Sequence, residues 1–157
     1  MTKTSQRSKA QRFELECKSD PKQIGEVERF LQKMNETARL DDGTFYRVLV
    51  ATTEAVNNAI LHGNKSDPEK KVIVICLLTH EALRVQVRDE GRGFDPRKLP
   101  DPLDEKNLLK EHGRGVFLMT SMTDRVKFRR LKKTMVVEIL INLKRLRSEI
   151  NHNSTHD

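Results

Sequence analysis

The sequence has few aromatic residues, few cysteines and no long apolar run. Only 4% of its 157 residues are aromatic and none is tryptophan, so the core must consist mainly of Val, Leu, Ile and Met. No apolar run approaches the roughly 18 residues of a membrane span, and no apolar segment follows the charged N-terminus as in a signal peptide. We therefore expect a cytoplasmic protein without membrane contact. The isolated positions of Cys17 and Cys76 favour buried free thiols over a disulfide or a metal site.

Positive charge exceeds negative charge in this chain. Its 30 Lys and Arg residues against 23 Asp and Glu residues give a formal net charge of +7. Such an excess favours an acidic partner, which is a nucleic acid, a nucleotide or an acidic protein. The length fits one domain. We expect that domain to span residues 12–147, between a disordered basic tail at 1–11 and a disordered tail at 148–157.

Apolar periodicity predicts the order of strands and helices. Phe13, Leu15 and Cys17 alternate with charged residues as in a half-buried strand, and Asp20 with Pro21 is typical of a helix start. The predicted elements after that first helix are a second helix over about 44–62 with Gly63 as its stop, a strand hairpin at 71–79 and 83–89, and two strands near 125–131 and 134–143. This order predicts an α+β fold, a two-layer sandwich with helices on one face of a mixed, largely antiparallel sheet.

The segment between Gly91 and Gly115 interrupts the periodicity. It contains three of the five prolines and, at its ends, four of the seven glycines. A connection of this length in a compact domain is usually a functional lid or a disordered loop. We expect a lid at about residues 94–114.

Glu54 and Asn58 are four residues apart on the second predicted helix and share one of its faces. The pair combines a proton acceptor with a neutral oxygen ligand, which suits a hard cation such as Mg²⁺ that is bound mainly through phosphate oxygens and water. An isolated pair with this spacing is more often a solvated helix face. The pair alone therefore leaves both interpretations open.

Two glycine-rich turns follow this helix in the sequence. Asp89 ends a predicted strand and precedes Gly91 and Gly93, which let the backbone approach a flat ligand while the carboxylate accepts from an exocyclic amine. The Gly113 to Gly115 segment opens a predicted short helix, VFLMTSM, whose free amides suit a phosphate group. A tight turn and a flexible helix entry explain the same residues without a ligand.

The order and spacing of these segments resemble a known superfamily. EAVNNAILHGN, DEGRGFDP and EHGRGVFLM are similar to the N, G1 and G2 boxes of the GHKL ATPases, which include gyrase, heat-shock chaperone, histidine kinase and MutL proteins. The resemblance extends from about Phe13 to Leu143. Within the superfamily, the segments Glu54 to Gly63 and Gly113 to Met119 are most similar to the stand-alone anti-sigma factor serine kinases of bacterial partner-switching systems.

The resemblance implies a Bergerat-type ATP-binding fold with ATP and Mg²⁺ as cofactors. It implies Glu54 as the general base and Asn58 as the Mg²⁺ ligand, and the neighbouring Asn57 is expected to supply a supporting hydrogen bond. The residues implied in nucleotide binding are Asp89, Gly91 and Gly93 at the adenine, the amides of Gly113, Arg114, Gly115, Val116 and Phe117 at the phosphates, the Arg114 side chain as their charge partner, and Thr134 in the adenine network. Lys133 stands where relatives commonly have a Gly before that Thr.

The function that the resemblance implies is that of an ATP-dependent serine/threonine protein kinase and anti-sigma factor. Such proteins phosphorylate an antagonist protein, bind a sigma factor and often form homodimers. Two alternatives stay open, namely a nucleotide-gated regulator without significant kinase activity and a basic nucleic-acid-binding protein. The cations Arg125, Lys127 and Arg129 suit an acidic partner or a solvated face that blocks edge pairing. Only Phe128 is interleaved among them, which disfavours direct nucleic-acid binding.

Overall fold

A computed structural model describes residues 9–91 and 111–143, without the side chains of 111–113. The residues outside this range include Gly93, the predicted lid as far as residue 110, most of the predicted N-terminal tail and all of the predicted C-terminal tail. Gln11, which the prediction assigned to the N-terminal tail, is the first residue of a strand.

Five strands form one sheet in the order β1-β2-β3-β5-β4. Their bounds are β1 Gln11–Lys18, β2 Lys71–Leu78, β3 Ala82–Asp89, β4 Arg125–Leu131 and β5 Thr134–Asn142. Each pairing between these strands is antiparallel, so the described sheet is antiparallel rather than mixed. The predicted α+β class and the predicted strand hairpin are confirmed.

The first two helices follow acidic residues, of which Asp20 is the predicted start, whereas the second helix begins two residues before the predicted position. A 3₁₀ turn, Pro21–Gln23, leads into α1, Ile24–Ala38, and the Asp20 carboxylate accepts a hydrogen bond from the amide of Lys22 at 3.0 Å. The second helix is α2, Asp42–Asn58, whose cap Asp41 accepts bonds from the Thr44 amide at 2.9 Å and the Thr44 hydroxyl at 2.7 Å. These bonds hold the pKa of Asp41 below its ordinary value.

The last turn before Gly63 differs from the prediction of one continuous α-helix. The α-helical bonding of α2 ends at Asn58, and Ala59–Gly63 forms a single π-helical turn. Such turns are rare and occur frequently at functional sites. The third helix, α3, is Glu111–Met122.

The core lies between the helices and one face of the sheet. Its buried helical side chains are those of Val27, Leu31, Met34, Val48, Val56, Ile60 and Met119, and its buried strand side chains are those of Val72, Val74, Cys76, Leu83, Val85, Val87, Val137, Ile139 and Ile141. Burying one such aliphatic side chain contributes about 1.5–3 kcal/mol. Both cysteines are free and buried, as predicted, and burial raises the pKa of the Cys76 thiol to about 12. Among the helices of the described residues, none is both long and apolar enough to cross a membrane.

Candidate nucleotide site

The face of α2 that carries Glu54 and Asn58 points away from the core. Ala55, Val56 and Ala59 are buried against the sheet, which turns Glu54 and Asn58 to the opposite side, where both are half-buried. The helical spacing of four residues brings their side chains together, as the sequence predicts. Asn57 is half-buried beside them on the same turn.

Helix α3 lies against this pair at Gly115. A Cβ atom on Gly115 would lie 2.9 Å from Oε2 of Glu54 and 3.4 Å from both polar side-chain atoms of Asn58. Glycine at this position leaves the Glu54 carboxylate its place against the α3 backbone. The fold therefore joins the EAVNN and GRG segments, which are far apart in the sequence, on one side of α2.

The position of Gly113 to Gly115 corrects the predicted start of the third helix. α3 begins at Glu111, so these residues lie inside the helix and do not form a turn before it. Gly115 lies beyond the first turn, where a glycine costs about 1 kcal/mol relative to alanine, and the nearby side chains of Val116 and Met119 are buried in the core. The contact of Gly115 with Glu54 explains the glycine better than a turn does.

The same helix start changes the predicted phosphate cradle. Only the amides of the first helical turn have no carbonyl acceptor within the helix. Among the predicted phosphate-binding amides, that of Gly113 lies in the first turn of α3. The amides of Gly115, Val116 and Phe117 belong to the next turn, where carbonyl groups of the preceding turn accept from them. Val116 is buried in the core, whereas the Arg114 side chain is exposed and free to approach an anion.

Asp89 is a buried carboxylate at the end of β3. Its residue is only 5% exposed, and its Oδ1 accepts a hydrogen bond from the Gly91 amide at 2.8 Å. Desolvation by burial raises the pKa of Asp89, while hydrogen bonds from the amides of Gly91 and Met135 act in the opposite direction. A buried acid with so few protein donors is suited to a ligand that brings its own donor.

Two glycines let the backbone pack closely around the Asp89 carboxylate. A Cβ on Gly63 would overlap the carboxylate of Asp89, and a Cβ on Gly91 would overlap the carbonyl group of Gly63. The end of the π turn therefore touches the end of β3. On the other side of β3, Asp89 pairs with Met135 of β5, and the preceding Thr134 is half-buried at the same end of the sheet.

The described residues fit a nucleotide with Mg²⁺. The Asn58 Nδ2 atom is buried and has no hydrogen-bond partner within residues 9–91 and 111–143, a situation that costs about 1–3 kcal/mol unless a ligand supplies a partner. Rotating the carboxamide by half a turn places an oxygen there, the ligand atom that Mg²⁺ prefers. In the same residues no group of three or more His, Cys, Asp or Glu forms a metal cage.

One residue that organises this region is absent from the predicted site. Asn64 follows Gly63, is fully buried and bonds to residues of three strand ends. In the sequence Asn64 is typical of a turn residue, because Asn is common in turns. In the structure the next two residues, Lys65 and Ser66, have φ angles of 52° and 55°. The burial of Asn64 depends on distant residues, so no local signal identifies it.

Comparison with known proteins gives the family of this fold and site. The histidine kinase-like ATPase domain matches residues 17–141. An anti-sigma F factor of Oceanobacillus iheyensis is 31% identical over 102 residues, which are 64% of this chain and 67% of the relative. An anti-sigma F factor of Anoxybacillus flavithermus is 27% identical over 80% of this chain and 85% of its own length.

Two further comparisons cover smaller parts of the matched proteins. The serine-protein kinase RsbW of Staphylococcus epidermidis is 32% identical over 49% of this chain, and the match spans about half of the relative, 53%. A crystal structure of the RsbU and RsbW domains of a Mycobacterium tuberculosis protein has a TM-score of 0.62 at 14% identity, over 83% of this chain and 32% of that chain. The structural match shows a shared fold. Because the domain match includes well over half of the residues, the chain belongs to the histidine kinase-like ATPase domain family, where its relatives are anti-sigma F factors and serine-protein kinases.

Proposed function

We propose that this protein is an ATP-dependent serine/threonine kinase that phosphorylates an antagonist protein and, as an anti-sigma factor, binds a sigma factor. The observation that carries the proposal is the arrangement of the Glu54 carboxylate and the Asn58 carboxamide against the backbone of α3 at Gly115. The names of the relatives, anti-sigma F factor and serine-protein kinase, support the same activity. Such a role places the protein in the cytoplasm.

The transfer step needs a base, a charge partner for phosphate and exact placement of the nucleotide. Glu54 accepts the proton of the substrate hydroxyl, and its half-buried carboxylate lies at the α3 backbone beside Gly115. Asn58 holds Mg²⁺ through its side-chain oxygen, with Asn57 in support. Mg²⁺, when bound, neutralises charge on the phosphate oxygens.

The remaining residues of the proposed site hold the two ends of ATP. The Asp89 carboxylate accepts a hydrogen bond from the adenine amino group, and Gly91, whose amide bonds to that carboxylate, lets the Gly63 carbonyl approach closely beside it. Thr134 joins this adenine network from the start of β5. At the other end, the first turn of α3 with Gly113 and the exposed Arg114 side chain stabilise phosphate charge.

The edge strand β4 supports an acidic protein as partner. Arg125, Lys127 and Arg129 are exposed on one face of the strand. Arg129 bonds to Glu138 at 3.2 Å, whereas Arg125 and Lys127 have no ion pair with another residue of the described segments. These unpaired cations favour docking of acidic side chains and provide no aromatic platform for nucleic-acid bases.

The proposal is tested by transfer of labelled γ-phosphate from ATP to a purified candidate antagonist from the same genome. We expect Glu54→Gln to reduce the transfer rate by about 10²–10⁴, the usual contribution of a general base, with ATP affinity within a few-fold of wild type. Glu36→Gln, on an exposed position of α1, is the matched control and should transfer phosphate normally.

Each alternative predicts a different outcome of this assay. Normal transfer by Glu54→Gln would contradict the role of Glu54 as base. If wild type binds ATP and the partner but transfers no phosphate, the protein is a nucleotide-gated regulator. Binding of duplex DNA without any affinity for ATP would favour the nucleic-acid-binding alternative.

A further inference from the structure

Asn64 connects the ends of three strands with the end of the π turn. Its Nδ2 donates to the Ser19 hydroxyl at 2.6 Å, just after β1, and to the Lys71 carbonyl at 3.0 Å, at the start of β2. Its Oδ1 accepts from the Glu90 amide at 2.8 Å, immediately after β3. Its own amide donates to the Ala59 carbonyl at 2.8 Å. The fully buried carboxamide thus bonds three separate parts of the chain, and the backbone amide of the same residue bonds a fourth.

The bond to Glu90 bears directly on Asp89. The amide after Asp89 is fixed by Asn64, and the next amide, that of Gly91, is fixed by the Asp89 carboxylate at 2.8 Å. The Gly63 carbonyl group packs against Gly91 from the other side. The backbone directly after Asp89 is therefore held by the bond from the Glu90 amide to Asn64 Oδ1, and the Glu90 carboxylate adds a second bond by accepting from the Lys71 amide at 2.7 Å.

The backbone that follows Asn64 turns sharply and directs the Asn64 side chain inward. Directly after it, Lys65 and Ser66 adopt left-handed backbone angles, which cost a non-glycine residue of order 1 kcal/mol or more each. The Ser66 amide bonds to the Ile60 carbonyl at 2.7 Å, and the Asp67 amide bonds to the Asn64 carbonyl at 3.1 Å. The sharp reversal places the Asn64 side chain inward, between the π turn and the strand ends.

We propose that Asn64 is a positioning residue that sets the base selectivity of the nucleotide site. By fixing the Glu90 amide it holds the Asp89 carboxylate where an adenine amino group is recognised. The inference rests on the proposed ATP binding. Asn64 itself touches no nucleotide and acts only through Asp89.

The Nδ2 and Oδ1 atoms of Asn64 make different hydrogen bonds. Variants that remove one set of bonds or the other can therefore distinguish the positioning of Asp89 from the contribution of Asn64 to stability. Ser19→Ala removes an acceptor of Nδ2 but leaves the bond from Oδ1 to the Glu90 amide. Asn64→Ala removes the hydrogen bonds of both Nδ2 and Oδ1. Asn64→Asp keeps an acceptor at Oδ1 and loses the donor to Ser19 and Lys71, so it is the conservative variant.

The test compares the affinities for ATP and for inosine triphosphate, which lacks the amino group, by calorimetric titration with Mg²⁺. The ratio of the two dissociation constants is independent of the folded fraction of the sample. We expect Asn64→Ala to reduce the preference for ATP roughly tenfold, the effect of about one hydrogen bond. We expect Ser19→Ala to lower the melting temperature with an unchanged preference, and Asn64→Asp to restore most of the preference at reduced stability.

Failure of this inference is distinguishable from failure of the proposed function. A preference for ATP that is unchanged in Asn64→Ala would overturn the positioning role, as would equal affinity of wild type for the two nucleotides. Absence of any nucleotide binding by wild type would instead overturn the proposed function. If Asn64→Ala does not fold, the same ratio is measured on Asn64→Ser, whose shorter side chain does not reach the Glu90 amide.

Discussion

At the scale of single residues, Asp89 shows a conflict between stability and ligand recognition. Its carboxylate is buried, and its pKa is raised because burial disfavours the charged form. The folded state therefore binds this proton more tightly than the unfolded chain does. Consequently, the contribution of Asp89 to the unfolding free energy decreases as the pH rises from its ordinary pKa of 3.8 through the raised value.

Asp89→Asn removes this pH dependence together with the charged acceptor for adenine. We expect the stability of the variant relative to wild type to improve between pH 4 and pH 7, because only wild type then carries a buried charge. We expect its affinity for ATP at pH 7 to fall about tenfold or more, since hydrogen bonds to charged groups contribute about 1.5–3 kcal/mol. Urea unfolding at the two pH values and calorimetric titration check both parts. A relative stability that does not depend on pH would contradict the account of Asp89.

At the scale of elements, the contact between α2 and α3 forms the reactive side of the site. Gly115→Ala adds a methyl group 2.9 Å from Oε2 of Glu54. That oxygen is the end of a flexible side chain, so the fold should survive, and alanine favours the helix by up to about 1 kcal/mol. The displaced carboxylate should reduce phosphoryl transfer by up to about a hundredfold.

A second helical glycine provides the control for this substitution. A Cβ on Gly25, in α1, would lie 3.5 Å from the Arg29 guanidinium group, an ordinary contact. Gly25→Ala should leave transfer unchanged in the same assay, and circular dichroism should show both variants folded. Wild-type transfer rates in Gly115→Ala would show that α3 does not constrain Glu54.

The elements differ in how well the sequence predicts them, for physical reasons. The starts of α1 and α2 are encoded locally, because Asp20 and Asp41 accept bonds from amides two and three residues ahead. The start of α3 is not encoded in this way. Its glycines indicate a turn, and their actual reason, the close approach of Gly115 to Glu54, exists only in the folded protein.

At the scale of the whole molecule, periodicity and motif spacing predict most of the architecture. Apolar periodicity predicts all five strands within about two residues at each end, and Glu54 and Asn58, which the sequence places on one helix face, both lie close to Gly115. The sequence does not show how the strand ends and the π turn are held next to one another. The Asn64 network joins residues near 19, 71 and 90, and contacts between such distant positions leave no local pattern.

The central claim, that the face shared by α2 and α3 binds ATP with Mg²⁺, is tested most directly by calorimetric titration of ATP with and without Mg²⁺. We compare wild type, Asn58→Ala and, as control, Gln32→Ala at an exposed carboxamide of α1. We expect saturable binding to wild type and Gln32→Ala, and binding to Asn58→Ala that is weaker or no longer depends on Mg²⁺. Absence of binding to wild type, or an unchanged Mg²⁺ dependence in Asn58→Ala, would contradict it.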